Sequence, residues 1–120
     1  MESITKKSFD AADEVRTPDK TKIEVVNLGT HIAGRMTAQP GWKWSECIKP
    51  VVGGDSCQML HIGAAISGKL HVKHNDGTEV DLVPGDAYEV QPGHDAWVVG
   101  NEPFVALEFQ SETAETFAKK

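Results

Sequence analysis

The stretch that decides the fold spans residues 67–103 and reads SGKLHVKHNDGTEVDLVPGDAYEVQPGHDAWVVGNEP. Four turn signals divide it: NDG at 75–77, PGD at 84–86, PG at 92–93 and GNEP at 100–103. Glycine accepts the positive φ that tight turns between antiparallel strands require, and the segments between these turns are rich in apolar and β-branched residues. The pattern therefore predicts a run of short antiparallel strands.

The same pattern extends outward over most of the chain. Helical candidates are confined to 11–15 and to the last residues, so an all-β fold is predicted. We expect a polar N-terminal arm at 1–22, one barrel domain at 23–110 and a C-terminal tail at 111–120. The predicted strands are 23–28, 31–37, 42–48, 57–66, 69–74, 79–83, 87–91, 94–99 and 104–110.

Composition excludes several classes of function. The 120 residues contain 12 basic and 18 acidic side chains, a net charge of -6, whereas binding to a phosphate backbone needs clustered Lys and Arg. No apolar run is long enough to span a membrane, and the N-terminus has no export signal. We expect a cytoplasmic protein in which Cys47 and Cys57 are reduced thiols, with neither nucleic acid nor membrane as a partner.

The order of the turns resembles the small single-domain cupin family. In that family an SGxhxV strand, here residues 67–72, is followed by a DG turn, a PGD turn, a PG…H turn and a closing G-(D/N)-E-P, here 100–103. The resemblance implies a cupin-type double-stranded β-helix, also called a jelly-roll barrel. It also implies a divalent metal, which cupins often hold with two His and one Glu from a first motif and one His from a second.

Two positions of this chain match that metal motif, one of them with a changed residue. His94 corresponds to the second-motif His, and His61 stands seven residues before Gly68, where the family has its Glu. The expected His-x-His pair is missing from the strand that should supply it. The resemblance therefore implies an altered metal set.

Alternation along the predicted strands suggests a different third ligand. A strand at 42–48 places Glu46 on the same inward face as Trp44, while His61 and His94 also face inward with small or apolar neighbours. We predict that Glu46, His61 and His94 converge on a divalent Zn, Fe, Mn, Ni or Cu ion, because imidazoles and one carboxylate suit these metals. The alternative is a buried network in which Glu46 pairs with His61 or a Trp N–H and no metal binds.

We also predict a small-molecule pocket with Trp44, Met59 and Trp97 as ligand-binding residues. The tryptophans would suit stacking on a planar organic molecule or sugar if they line the pocket mouth, and core or dimer contacts are the alternative. One hypothesis is a metal-dependent enzyme, such as a dioxygenase, isomerase or decarboxylase. The other is a non-catalytic module that binds or senses a small molecule without metal. A homodimer is expected, since the strand at 23–28 could pair with the sheet of a second copy.

Overall fold

The computed structural model describes residues 3–109, which contain nine strands and two short helices. A 3₁₀ turn at Phe9–Ala11 precedes them. The strands are β1 (Glu14–Arg16), β2 (Thr21–Asn27), β3 (Ile32–Ala38), β4 (His61–Ser67), β5 (Leu70–His74), β6 (Glu79–Leu82), β7 (Ala87–Val90), β8 (His94–Val98) and β9 (Phe104–Phe109). The helices α1 (Trp44–Cys47) and α2 (Lys49–Val52) lie between β3 and β4.

The strands form two antiparallel sheets. One has six strands in the order β1-β2-β3-β9-β4-β7, and the other has three in the order β6-β5-β8. The all-β prediction is therefore confirmed. The sheet is not closed, so the fold is a two-sheet jelly roll rather than a continuous hydrogen-bonded barrel.

The core lies between the two sheets. Alternation directs Phe104 and Ala106 of β9 inward from the large sheet, while Leu70 and Val72 of β5 and Ala96 of β8 face them from the small one. Phe104 is only 1% exposed, and burying such a side chain contributes about 1.5–3 kcal/mol. This packing holds the two sheets together where pairing between them is sparse.

The predicted strand at 42–48 is wrong, because this segment enters helix α1. Trp44, Cys47 and Ile48 are buried, which is the i, i+3, i+4 spacing of a helix face rather than the alternation of a strand. Pro50 lies in the first turn of α2, where its missing N–H costs nothing. The helical period turns Glu46 toward solvent. Trp44, on the buried face of α1, lines the space between the sheets.

The N-terminal end of the domain also differs from the prediction. The helical candidate at 11–15 is replaced by β1, which pairs with β2 at one edge of the large sheet. The predicted tail at 111–120 lies outside the described residues. Among residues 3–109, no helix has the length and apolar character needed to cross a membrane.

Candidate metal centre

Three side chains with metal-ligating atoms meet between the sheets. They belong to Cys57, His61 and His94, and their ligand atoms all lie within 4.8 Å of one another. The Cys57 Sγ is 3.5 Å from the His61 Nε2, and the centroids of the two imidazoles are 5.0 Å apart. One thiol and two imidazoles therefore converge on a single point.

The fold fixes these residues in two ways. His61 is the first residue of β4 and His94 the first of β8, so each is carried by a strand ladder. Cys57 lies in the loop before β4, but its backbone is bound to the start of β8. Its N–H donates to the His94 carbonyl at 2.6 Å, and the Gly93 N–H donates to the Cys57 carbonyl at 2.6 Å.

A carboxylate behind His61 orients its ring. Glu108, only 6% exposed, lies 3.0 Å from the His61 Nδ1 through its Oε1. Tyr88 donates a hydrogen bond from its hydroxyl to the Glu108 Oε2 at 2.8 Å. This arrangement keeps a proton on Nδ1 of His61 and directs Nε2 toward Cys57. Without metal, Nε2 is hydrogen-bonded to the Cys57 sulfur, and it would have to give up any proton to bind an ion.

Gly63 of β4 leaves space for the hydrogen bond between Tyr88 and Glu108. It pairs with Tyr88 on one side and Glu108 on the other. A Cβ at this position would collide with the Leu107 carbonyl oxygen and lie 3.1 Å from the Tyr88 hydroxyl. The absence of a side chain at position 63 therefore allows the Tyr88–Glu108 hydrogen bond to pass close to the strand backbone.

The second imidazole is oriented by the backbone. The Nδ1 of His94 is 2.8 Å from the Gln91 carbonyl oxygen. A carbonyl only accepts hydrogen bonds, so Nδ1 carries the proton and Nε2 is the available ligand atom. Both imidazoles thus have the outer hydrogen bond that metal-ligating histidines almost always make.

Electrostatics favour the anionic form of the thiol. Burial raises the pKa of Cys57, but hydrogen bonds and charge interactions with His61 and His94 outweigh it and lower that pKa to about 6. Burial lowers the pKa of His61, yet the Glu108 carboxylate and Cys57 outweigh it and raise that pKa. Burial beside Glu108 raises the pKa of Tyr88, so its hydroxyl remains a donor.

The cluster opens into a cavity of about 50 Å³. A second, larger cleft of about 240 Å³ lies on the loop side and shares Trp44 and Cys57 with the cavity. The cleft is also lined by Val52, Gly53, Gly54, Ser56, Gln58 and Met59. Of these two spaces, the inner cavity has room for an ion and a few waters, and the cleft has room for a larger organic molecule.

The structure brings together only part of the predicted site. His61 and His94 converge as expected, but the expected inward position of Glu46 is wrong: it lies exposed on α1, because a helix does not alternate. Trp44 lines both spaces and Met59 lines the cleft. Trp97 is elsewhere, with its ring 4.8 Å from the His71 ring; alternation along β8 turns it away from the inward residues Ala96 and Val98.

Sequence reasoning missed Cys57 as a ligand and omitted Tyr88 and Glu108. Glu108 could have been found, because it shares the inward face of its strand with Phe104 and Ala106. Cys57 has a weaker signal, its position four residues before His61 in the segment leading into β4. Nothing in the alternation of β7 distinguishes Tyr88 from an ordinary core aromatic.

Comparison with known proteins identifies the fold. No family model and no curated protein matches the chain. A crystal structure of unknown function from Rhizobium leguminosarum is 19% identical with a TM-score of 0.64, covering 90% of this chain and 96% of its own. An RmlC-like cupin from Shewanella frigidimarina is 18% identical, with a TM-score of 0.63 and coverages of 92% and 93%.

A third solved structure carries an activity in its name. It is a sugar phosphate isomerase of the cupin superfamily from Silicibacter pomeroyi, 19% identical with a TM-score of 0.61, covering 87% of this chain and 73% of its own. At these identities the likeness concerns the fold. The chain is an all-β, double-stranded β-helix protein with the cupin fold.

Proposed function

We propose that this protein is a metal-dependent cupin-fold protein whose ion is held by Cys57, His61 and His94. The observation that supports it most is the paired orientation of the imidazoles. Glu108 binds Nδ1 of His61 and the Gln91 carbonyl binds Nδ1 of His94, so both Nε2 atoms are available beside one buried thiol. Such prior orientation is typical of metal ligands.

The donor set narrows the choice of metal. A thiolate and two imidazoles favour Zn, Fe, Cu or Ni over the harder Mn, Mg and Ca. Three protein ligands leave a coordination position for water or substrate, as in catalytic rather than structural zinc sites. Once bound, the ion would supply Lewis-acid chemistry or, for Fe or Cu, redox chemistry.

The residues around the ion have separate roles in this proposal. Glu108 keeps the proton on Nδ1 of His61, and Tyr88 in turn holds Glu108. Trp44 and Met59 form walls where a small organic molecule could lie next to the ion. Isomerase, decarboxylase and dioxygenase activities all fit this arrangement, and a sensor that binds a ligand without turnover is the alternative.

We also propose a cytoplasmic homodimer. Ile62 and Phe109 expose 41% and 46% of their surface on the outer face of the large sheet. They lie on adjacent strands beside the Gly63–Glu108 pair. A second copy of the chain would cover this apolar face.

Elemental analysis of tag-free protein, followed by zinc titration of the chelator-treated protein, tests the metal. We expect one ion per chain, and we expect Cys57→Ala and His94→Ala to lose most of it while remaining folded. Cys47→Ala and His31→Ala are matched controls, because Cys47 is equally buried but lies outside the cluster and His31 is exposed. Wild-type protein that takes up no zinc, iron, copper or nickel would contradict the proposal.

A further inference from the structure

The walls of the site carry almost no charge that could receive an anion. Among residues 3–109, no lysine or arginine lines the cavity or the cleft, and Glu108 is the one carboxylate in their walls. Any positive charge on His61 is already paired with Glu108 at 3.0 Å, so an anionic ligand would be desolvated without a further cationic side chain and would lie near a negative one. A thiolate ligand also cancels part of the charge of any divalent ion bound there.

The walls do contain hydrogen-bond donors without partners. Trp42 and Trp44 are each 4% exposed and both line the cavity. Their indole Nε1 atoms are buried and have no hydrogen-bond partner within the described part of the chain. A buried unpaired donor is unfavourable, and an acceptor atom brought by a ligand would relieve that cost.

The two spaces set the shape of the ligand. The cleft of about 240 Å³ has apolar and neutral walls, whereas the inner cavity of about 50 Å³ admits only a few atoms. Trp44 lies at their junction, because it lines both. A ligand would thus place its apolar body in the cleft and a small acceptor group at the tryptophans.

We infer that the organic ligand of this site is an uncharged carbonyl compound with an apolar body, bound through the Trp44 and Trp42 N–H donors. The inference rests on the proposed function, since it assigns a substrate class to the same site. It also separates this chain from the cupin named a sugar phosphate isomerase, because a phosphate ester would meet no lysine or arginine from the described residues here.

Three probes of nearly identical shape test this class. Acetophenone carries a neutral carbonyl, benzoate replaces its methyl group with a charged oxygen, and α-methylstyrene replaces the carbonyl oxygen with a CH₂ group. Dissociation constants are measured by NMR titration of the indole N–H signals, in zinc-loaded and chelator-treated protein. We expect acetophenone to bind at least about tenfold more tightly than either other probe, with shifts at Trp42 and Trp44.

Two variants locate the contact. Trp44→Phe should remove most of the preference for acetophenone over α-methylstyrene, because it deletes the donor and keeps an aromatic ring. Trp97→Phe is the control and should leave all three constants unchanged, since Trp97 packs on His71 away from the site. If Trp44→Phe does not fold, Trp42→Phe and the wild-type probe series carry the same test.

The outcomes separate the inference from the proposed function. Benzoate binding as tightly as acetophenone, or no probe binding, overturns the neutral-carbonyl inference, while zinc bound to the same sample would leave the metal proposal standing. A preference for acetophenone in protein that takes up no metal supports the inference and overturns the metal proposal. Signals that shift at Trp97 alone would also overturn the inference.

Discussion

The two sides of the Cys57–His61–His94 cluster are built differently. On one side His61 and Glu108 lie on neighbouring strands of the large sheet, in a hydrogen-bond network that Tyr88 completes. On the other side Cys57 lies in a loop and is held by backbone hydrogen bonds to His94 and Gly93. The first side is part of the buried structure of the sheet, and the second is attached to it.

Because of this difference, substitutions on the two sides should affect the stability of the protein and its metal affinity differently. Removing one side chain of the His61–Glu108–Tyr88 network, here called the strand side, leaves a buried polar partner without its hydrogen bond. This lowers the free energy of unfolding. The backbone bonds of Cys57 do not depend on its side chain, so replacing the thiol leaves the loop in place. We therefore expect variants of the strand side to lower both stability and metal affinity, and variants of Cys57 to lower metal affinity alone.

The largest expected effect is that of His61→Ala on stability. The substitution leaves the Glu108 carboxylate buried without its imidazole partner, and breaking a buried pair in this way costs about 3–5 kcal/mol of unfolding free energy. Urea denaturation of the metal-free protein measures it. His31→Ala, at an exposed position, should change stability by less than about 0.5 kcal/mol. Equal stabilities for the two variants would show that the network contributes nothing.

The next effect concerns the orientation of His61. Glu108→Gln keeps the shape of the side chain but removes its charge, and changes to such outer groups typically weaken metal binding by about 10–100-fold. Competition between the protein and a zinc-binding dye measures the affinity. Glu46→Gln, the same chemical change on exposed helix α1, should have no effect. A comparable loss for Glu46→Gln would return that residue to the site.

The smallest expected effect is a lowered pKa of the Cys57 thiol in metal-free protein. Because its pKa is lowered from 9.0 to about 6, the thiol should be largely ionised at pH 7 and should become protonated as the pH falls through 6. Thiolate absorbance near 240 nm, taken as the difference between wild type and Cys57→Ser, follows one thiol. His61→Gln should move the inflection upward, and an inflection that stays near pH 9 in wild type would contradict the ion pairing.

How far the sequence predicts this protein depends on local regularity. Where residues pair in ladders, the alternation correctly assigns the inward positions of His61 and His94, and the turn series from 67 to 103 correctly indicates the cupin fold. Helix α1 is not part of a sheet, so alternation does not apply there. Alternation predicts that Glu46 faces inward, whereas the helical period turns its side chain outward. The inward carboxylate exists, but it is Glu108.

The loop-borne ligand could not be assigned in the same way. Cys57 reaches His61 and His94 through a backbone bridge between segments far apart in sequence, and no local period records such a contact. The unpartnered indole N–H groups of Trp42 and Trp44 likewise depend on packing between both sheets and the helical segment. Both features arise from tertiary structure rather than from the preferences of neighbouring residues.

The backbone anchoring of Cys57 also makes the site modular for protein engineering. Residues 53–55 precede the anchor and are exposed, and Gly53 and Gly54, with φ of 81° and 89°, form part of the cleft wall. Their sequence and length can be varied while the bonds to His94 and Gly93 keep the thiol in register with the imidazoles. A library restricted to this loop would alter which molecules enter the cleft and leave Cys57, His61 and His94 unchanged.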